Sequence, residues 1–264
     1  MASNARSRYY GPAKWADLPD YVYPSGGLLR AFNDALNLPS GLLRMSVCRL
    51  LPGQDVDHHR HHTMSEIYFL MKGHSQFRID DQVIDAEERT AVFFPPEPMR
   101  SVYNHSQEEA WWLFVGAPPD VAPGKPPPPQ LSALTIPRVE PTRDPRRYYG
   151  PARWAELTDY VYPSGGLLRA FNEALNLPSG LLRMSVCRLL PGQDVDHHRH
   201  HTMSEIYFLM KGHAQFRIDD QIIDAEENTA VFFPPEPMRS VYNNSDQEAW
   251  WLFVGAPPDV KPKE

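Results

Sequence analysis

The chain consists of two nearly identical copies of one sequence, and this repetition limits the folds that it can adopt. Residues 9–123 match residues 148–262 at a constant offset of 139, and only 11 of these 115 positions differ. Because the repeat is far longer than the unit of a solenoid, each copy is predicted to be a domain with its own core. We assign the first domain to residues 9–122 and the second to residues 148–261.

The segment between the two copies, residues 123–147, is rich in proline and contains four consecutive prolines. Proline has a fixed φ angle and no backbone N–H donor, which excludes it from helix interiors and central strands. The composition therefore predicts a semi-rigid, extended linker.

Charge and composition exclude several classes of partner. The net charge is −7 and the pI is about 5.9, whereas binding to nucleic acid requires a basic face. The sequence contains neither an apolar run long enough for a membrane span nor, at its start, the apolar core of a secretory signal. The two cysteines, Cys48 and Cys187, are too few for a disulfide framework, which favours reduced thiols and a cytoplasmic location.

The local pattern within each copy predicts mainly β-strands. Short alternating or apolar runs, such as LLRMSVCRLL and EIYFLMK, are separated by glycine, proline and aspartate turn signals. This pattern is typical of an antiparallel sandwich or barrel. One segment differs: in residues 25–37 the apolar positions 28, 29, 32, 35 and 36 follow helical spacing. We therefore expect a short helical segment near the N-terminus of each domain.

A cluster of histidines and glycines follows a specific spacing. Gly53, His59, His61, Glu66 and Gly73 match the pattern G-x5-H-x-H-x4-E-x6-G. The second copy repeats it with Gly192, His198, His200, Glu205 and Gly212.

A second, looser pattern, G-x5-P-x-G-x2-H-x3-N, is only half matched. Pro95 and Asn104 stand at the correct separation. Arg89 and Glu97 replace the two glycines, and Arg100 replaces the histidine.

These two patterns make the chain resemble the cupin superfamily, and specifically a bicupin. The resemblance covers both copies but not the linker or the chain ends. It implies an all-β fold with two jelly-roll barrels in tandem. Cupins with this pattern include dioxygenases, decarboxylases, isomerases, cyclases and lyases, so the resemblance alone does not select a reaction.

The alternation of side chains along a strand supports a metal site. His59 and His61 are predicted to share one face, while His58 and His62 point to the other. Glu66 begins the next strand and can lie opposite the pair. Two imidazoles and one carboxylate suit a divalent ion such as Fe, Zn, Mn, Ni or Co. We expect one ion per domain, bound by His59, His61 and Glu66 and by His198, His200 and Glu205. The alternative is a solvated histidine patch.

Two further residues of each copy are candidates for the site. Arg100 and Arg239 stand where the resemblance places a histidine, and a guanidinium cannot bind a cation. We consider contact with a substrate anion, replacement of the metal's charge, and pairing with a structural acid such as Glu87 or Glu97. Tyr68 and Tyr207 share the face of the glutamate and are candidate proton donors or acceptors, although packing is the simpler role.

The function predicted from these features is that of a metal-dependent enzyme acting on a small organic acid or carbonyl compound. Dioxygenase and lyase or isomerase chemistry both fit, and a non-catalytic metal-binding or ligand-binding module is the alternative. The run EIYFLM is apolar on both faces. We therefore expect the two copies to pack against each other as a fused homodimer within one chain.

Overall fold

The computed structural model describes residues 9–39, 43–117, 148–178 and 181–256. The predicted linker, residues 123–147, lies outside them, and the predicted domain bounds stay a prediction. Strands of the first half are β1 Tyr10–Lys14, β2 Tyr21–Val22, β3 Leu28–Ala31, β4 Arg44–Leu50, β5 Ser65–Lys72, β6 Ser75–Ile79, β7 Gln82–Ala86, β8 Thr90–Phe94, β9 Arg100–Tyr103 and β10 Ala110–Ala117. Strands of the second half are β11 Tyr149–Arg153, β12 Asp159–Val161, β13 Leu167–Ala170, β14 Arg183–Leu189, β15 Ser204–Lys211, β16 Ala214–Ile218, β17 Gln221–Ala225, β18 Thr229–Phe233, β19 Arg239–Tyr242 and β20 Ala249–Ala256.

Each half is a sandwich of one seven-stranded and one three-stranded antiparallel sheet. The large sheets have the orders β11-β8-β5-β10-β4-β3-β2 and β1-β18-β15-β20-β14-β13-β12. The small sheets have the orders β7-β6-β9 and β17-β16-β19. In the first half, buried side chains from both sheets, including Tyr68, Phe77, Phe94 and Trp112, form one interior cluster. The predicted all-β architecture, with one antiparallel sandwich in each half, is therefore confirmed.

The helix predicted over residues 25–37 is wrong. Leu28–Ala31 form β3, which pairs with β4 through Leu29 and Cys48. Ser25, the expected N-cap, instead donates to the carbonyl of Asp55 at 2.7 Å. The only helical segments among the described residues near the N-termini of the halves are the 3-10 turns Trp15–Asp17 and Trp154–Glu156.

The two halves exchange their first strands. β1 pairs with β18 of the second half, with Ala13 opposite Ala230. β11 returns the exchange by pairing with β8 of the first half, with Ala152 opposite Ala91. Each large sheet is therefore completed by a strand from the other half.

A continuous apolar cluster also joins the halves. The outward side chains of β5, Ile67 and Phe69, are fully buried in it together with residues of the second half. The rings of Phe69 and Phe171 lie 5.7 Å apart, as do those of Phe32 and Phe208. The expected packing of the two copies within one chain is thus confirmed. β5 is apolar on both faces because one face lies in the interior of its own half and the other packs against the second half.

Two remaining features bear on the sequence-based expectations. Cys48 and Cys187 are buried free thiols, and burial raises the pKa of both. Within the described ranges, no helix is both long enough and apolar enough to pass through a membrane. The cytoplasmic location stays a prediction.

Candidate metal centre

The histidine segment runs beside β9 rather than forming a regular strand of its own. The backbone of His59 exchanges two hydrogen bonds with Arg100, and His61 donates to the carbonyl of Pro96. This extended course preserves the alternation of side chains. His59 and His61 turn inward and are partly buried, whereas His58 and His62 are exposed.

Glu66, the second residue of β5, brings its carboxylate to the two inner histidines. The nearest ligand atoms of His59, His61 and Glu66 all lie within 4.8 Å of one another. The same holds for His198, His200 and Glu205 in the second half. The structure therefore brings together each of the two triads that the spacing predicts.

The protein fixes the orientation of the first imidazole. His59 Nδ1 lies 2.7 Å from the carbonyl oxygen of Asp57. Because a carbonyl only accepts hydrogen bonds, Nδ1 carries the proton and Nε2 presents its lone pair to the site. His198 makes the same contact with Asp196 at 2.7 Å. Burial lowers the pKa of both histidines, which favours the neutral form that a metal requires.

Arg100 contacts the carboxylate of the triad directly. Its side chain is fully buried and donates from Nη2 and Nε to Glu66 Oε2 at 2.9 and 3.2 Å. The remaining nitrogen, Nη1, donates to the carbonyl oxygens of Pro96 and Pro98. The acid partner is thus Glu66 rather than Glu87 or Glu97. Contact with a substrate anion stays a prediction for Arg100.

The second half repeats this arrangement with small differences. Arg239 Nε donates to Glu205 Oε2 at 3.1 Å, and Nη1 donates to the carbonyl oxygens of Pro235 and Pro237. His200 Nε2 lies 3.0 Å from the same glutamate oxygen. Each glutamate therefore has one oxygen shared between a guanidinium and an imidazole.

The charge of Glu66 is maintained despite burial. Burial by itself would raise the pKa of this carboxyl group, but the hydrogen bond from His61 and the positive charge of Arg100 hold the pKa below its usual value. Glu205 has the same balance with His200 and Arg239. Both glutamates are therefore ionised at neutral pH, as metal ligands must be.

Tyr68 lies in the site and also in the core. Its hydroxyl group is 3.3 Å from His59 Nε2, while its ring packs against Phe94 and Phe114. Burial raises the pKa of Tyr68 well above its usual value, so the hydroxyl group keeps its proton and can donate it to the lone pair of His59 Nε2. Tyr207 stands 3.2 Å from His198 Nε2 in the second half. A catalytic role for either tyrosine stays a prediction.

The triad of the first half opens onto a cavity of about 210 Å³. Its wall includes the three triad residues together with Tyr23, Leu29, Arg44, Met45, Met64 and Phe114. Sequence reasoning missed Arg44, because an arginine at the start of a strand carries no signal that distinguishes it from a surface residue. Arg44 is exposed and forms no ion pair with any residue in the described part of the chain.

The donor set fits a divalent metal. Two imidazoles and an ionised carboxylate form the facial arrangement found at open metal sites, and the cavity of the first half leaves room for further ligands. The hydrogen bond from His59 to the Asp57 carbonyl and those from Arg100 to Glu66 hold these two ligands in their orientations.

Comparisons with known proteins agree with the fold. The family model described as "Cupin domain" matches residues 46–116 and again residues 185–255. No curated protein sequence matches the chain.

Several solved structures have the same architecture at low sequence identity. A formate complex of oxalate decarboxylase from Lactobacillus farciminis is 14% identical, with a TM-score of 0.70, covering 93% of this chain and 86% of that one. Oxalate decarboxylase from Bacillus subtilis at pH 4.6 is 16% identical, with a TM-score of 0.71 and coverages of 95% and 77%. A structure of the Bacillus enzyme described for its Mn(II) centres is 15% identical, with a TM-score of 0.71 and coverages of 96% and 78%. At such identities the likeness shows the fold alone. Since the family model matches more than half of the chain, the protein belongs to the cupin domain family, with one cupin domain in each half.

Proposed function

We propose that this bicupin is a metal-dependent enzyme that binds one divalent ion in each half and acts on a small organic acid. The observation that carries the proposal is the triad of His59, His61 and Glu66, whose ligand atoms converge within 4.8 Å at the wall of a cavity. A metal held there would act as a Lewis acid or as a binding site for a second reactant. Fe, Zn, Mn, Ni and Co all suit the donor set, and Mn is the first choice for trial because a similar structure is described for its Mn(II) centres.

The cavity supports a small and anionic substrate. A volume of about 210 Å³ lies below the roughly 300–1,000 Å³ typical of pockets for drug-sized ligands. Arg44 lines this cavity, and its guanidinium would pair well with a carboxylate there. Apolar side chains such as Leu29 and Phe114 form much of the remaining wall. These features favour a short carboxylic acid over a sugar or a polycation.

The residues of the chain have distinct roles in this proposal. The triad holds the metal, Arg44 orients the acid, and the protonated Tyr68 donates a hydrogen bond near the reacting group. Arg100 positions Glu66 and keeps it ionised, which is a supporting role rather than a direct one. Whether Arg100 also reaches a bound acid stays a prediction.

One observation favours the non-catalytic alternative. The buried guanidinium of Arg100 already balances the charge of Glu66, so the site is electrically complete before any metal binds. A metal-free ligand-binding module would have this property. Turnover of an acid by the metal-loaded protein supports the enzyme, whereas acid binding that is unchanged by chelators, without turnover, supports the module.

Acid binding tests the proposal through Arg44. Calorimetry on Mn-loaded protein is expected to show binding of small carboxylic acids such as formate and oxalate, but not of the corresponding amides. Replacing Arg44 and its equivalent in the second half, Arg183, with methionine removes the proposed charged hydrogen bond to the acid and should weaken acid binding about tenfold or more. The matched control is Arg60→Met with Arg199→Met, because these arginines are exposed on the opposite side of the histidine segment. Equal binding of acids and amides, or equal loss in both variants, would contradict this proposal.

A further inference from the structure

A second group of metal-binding side chains lies in the first half, away from the triad. His74, Asp85 and His105 offer ligand atoms that all lie within 4.8 Å of one another. His74 precedes β6, Asp85 lies on β7, and His105 follows β9. The triad contacts the opposite end of β9, where His59 bridges Arg100. The two groups share no residue.

The ligand atoms of this group lie slightly farther apart than they would around a bound metal ion. His105 Nε2 lies 3.7 Å from Asp85 Oδ1, beyond hydrogen-bond distance. Two ligands of a tetrahedral Zn²⁺, each at roughly 2.0–2.2 Å from the ion, lie roughly 3.4 Å apart. The rings of His74 and His105 already meet edge to face, with centroids 4.8 Å apart. A small movement of these side chains would therefore place three protein ligands around one ion and leave the fourth position to solvent.

Two details distinguish this group from a chance surface cluster. Gln76 donates to Asp85 Oδ1 at 3.0 Å and so holds the carboxylate in place. His105 Nδ1 is buried and has no hydrogen-bond partner among the described residues. Nδ1 therefore lacks the polar neighbour that usually satisfies a buried nitrogen, although the His105 side chain as a whole is 30% exposed. His74 and Asp85 are exposed, which leaves the group open to ions from solvent.

The second half supplies a natural comparison. The equivalent residues are His213, Asp224 and Asn244, so only the third ligand differs. Gln215 holds Asp224 at 2.9 Å, as Gln76 holds Asp85. An asparagine amide is a much weaker ligand than imidazole for zinc-class metals, which prefer nitrogen and sulfur donors. Both halves therefore keep the first histidine and the aspartate held by glutamine, but only the first half has all three ligands.

We propose that His74, Asp85 and His105 form an additional binding site for an imidazole-preferring divalent metal such as Zn²⁺, and that this site exists in the first half alone. The proposal uses no residue of the two triads and does not depend on the proposed function. Because each ligand belongs to a different segment of the β7-β6-β9 sheet, a bound ion would fix this end of the sheet.

Exchanging the one differing residue between the halves tests the proposal. Equilibrium dialysis of the full, tag-free chain against Zn²⁺ measures the bound equivalents of wild type, His105→Asn and Asn244→His. We expect His105→Asn to bind one equivalent fewer than wild type, and Asn244→His to bind one more. Whatever the triads bind is common to all three proteins, so the differences report this site alone.

The affinity and the controls make the result decisive. Loss of one of three ligands should weaken zinc binding at this site about tenfold or more, which is 1.4 kcal/mol or more. Both variants place a side chain that the other half already accommodates, so the thermal unfolding of their metal-free forms should match wild type. His58→Asn is the control, because His58 is exposed and lies outside both groups. Equal zinc binding in wild type and His105→Asn, or no gain in Asn244→His, would overturn the proposal.

Discussion

Replacing Arg100 with methionine is expected to lower the free energy of unfolding of the metal-free protein by about 3–5 kcal/mol. The guanidinium is fully buried, and two of its nitrogens donate to Glu66. Without it, a buried carboxylate loses its cationic partner, and two proline carbonyls lose their donor. Denaturant unfolding of the metal-free variant and wild type measures the loss.

Metal is expected to restore more stability to the Arg100→Met variant than to wild type. In the variant, a bound metal ion replaces Arg100 as the positive charge that balances Glu66. In wild type, the metal ion and the guanidinium of Arg100 lie close together and repel each other. The shift in Tm on adding Mn²⁺ should therefore be larger in the variant. The same variant also decides whether Arg100 contacts a bound acid, since acid affinity should then fall in the metal-loaded protein.

Arg78→Met is the matched control for this experiment. Arg78 lies on the neighbouring strand β6, contacts Asp55 at 3.8 Å and stacks on Tyr103, but its side chain is 37% exposed. Loss of such a surface pair should cost less than about 1 kcal/mol. If both variants lose the same stability, or if metal stabilises Arg100→Met less than wild type, the role that we assign to Arg100 is wrong.

The first half expressed alone, residues 1–123, is expected to form a stable homodimer. In the full chain, β1 completes the large sheet of the other half, and Phe69 and Phe32 pack against rings across the boundary. A single half would expose this apolar face and leave β8 with an open edge. Two identical copies can exchange β1 in the same way, because the interface is nearly symmetric. Light scattering after size-exclusion chromatography measures the mass.

A single substitution should distinguish dimerisation by exchange of β1 from nonspecific association through the exposed apolar face. Ala13 is buried in β1 opposite Ala230, so Ala13→Asp would place a carboxylate in the exchanged strand and should prevent dimer formation. Lys14→Gln on the same strand changes an exposed side chain and should leave the dimer intact. A stable, folded monomer of the unaltered half would show that the two copies are not a fused dimer.

The fold was predictable from sequence where the pattern was long and regular. The runs around β4 and β5 alternate or are apolar throughout, and they form central strands. The predicted helix failed for a local reason. Phe32 and Leu36 do form a helical-type turn, with Leu36 N–H donating to the Phe32 carbonyl at 2.9 Å. The residues before it pair with β4, and this tertiary pairing overrides the local periodicity.

The site was predictable only for residues that are close together in sequence. The spacing from His59 to Glu66 spans one turn between neighbouring segments, so the geometry follows from the sequence. The contact of Arg100 with Glu66 depends on how the histidine segment lies along β9. The position of Arg44 depends on the packing of the large sheet around the cavity. Neither of these long-range contacts produces a recognisable pattern in the sequence.

The central claim is that each half holds a divalent metal with two histidines and one glutamate. The most direct test is anomalous diffraction at the absorption edge of manganese, from crystals of tag-free protein reconstituted with Mn²⁺. We predict one peak within about 2.0–2.3 Å of ligand atoms of His59, His61 and Glu66, and a second peak at His198, His200 and Glu205. Glu66→Gln with Glu205→Gln should remove both peaks. Reconstituted crystals without a peak in either barrel would contradict the account.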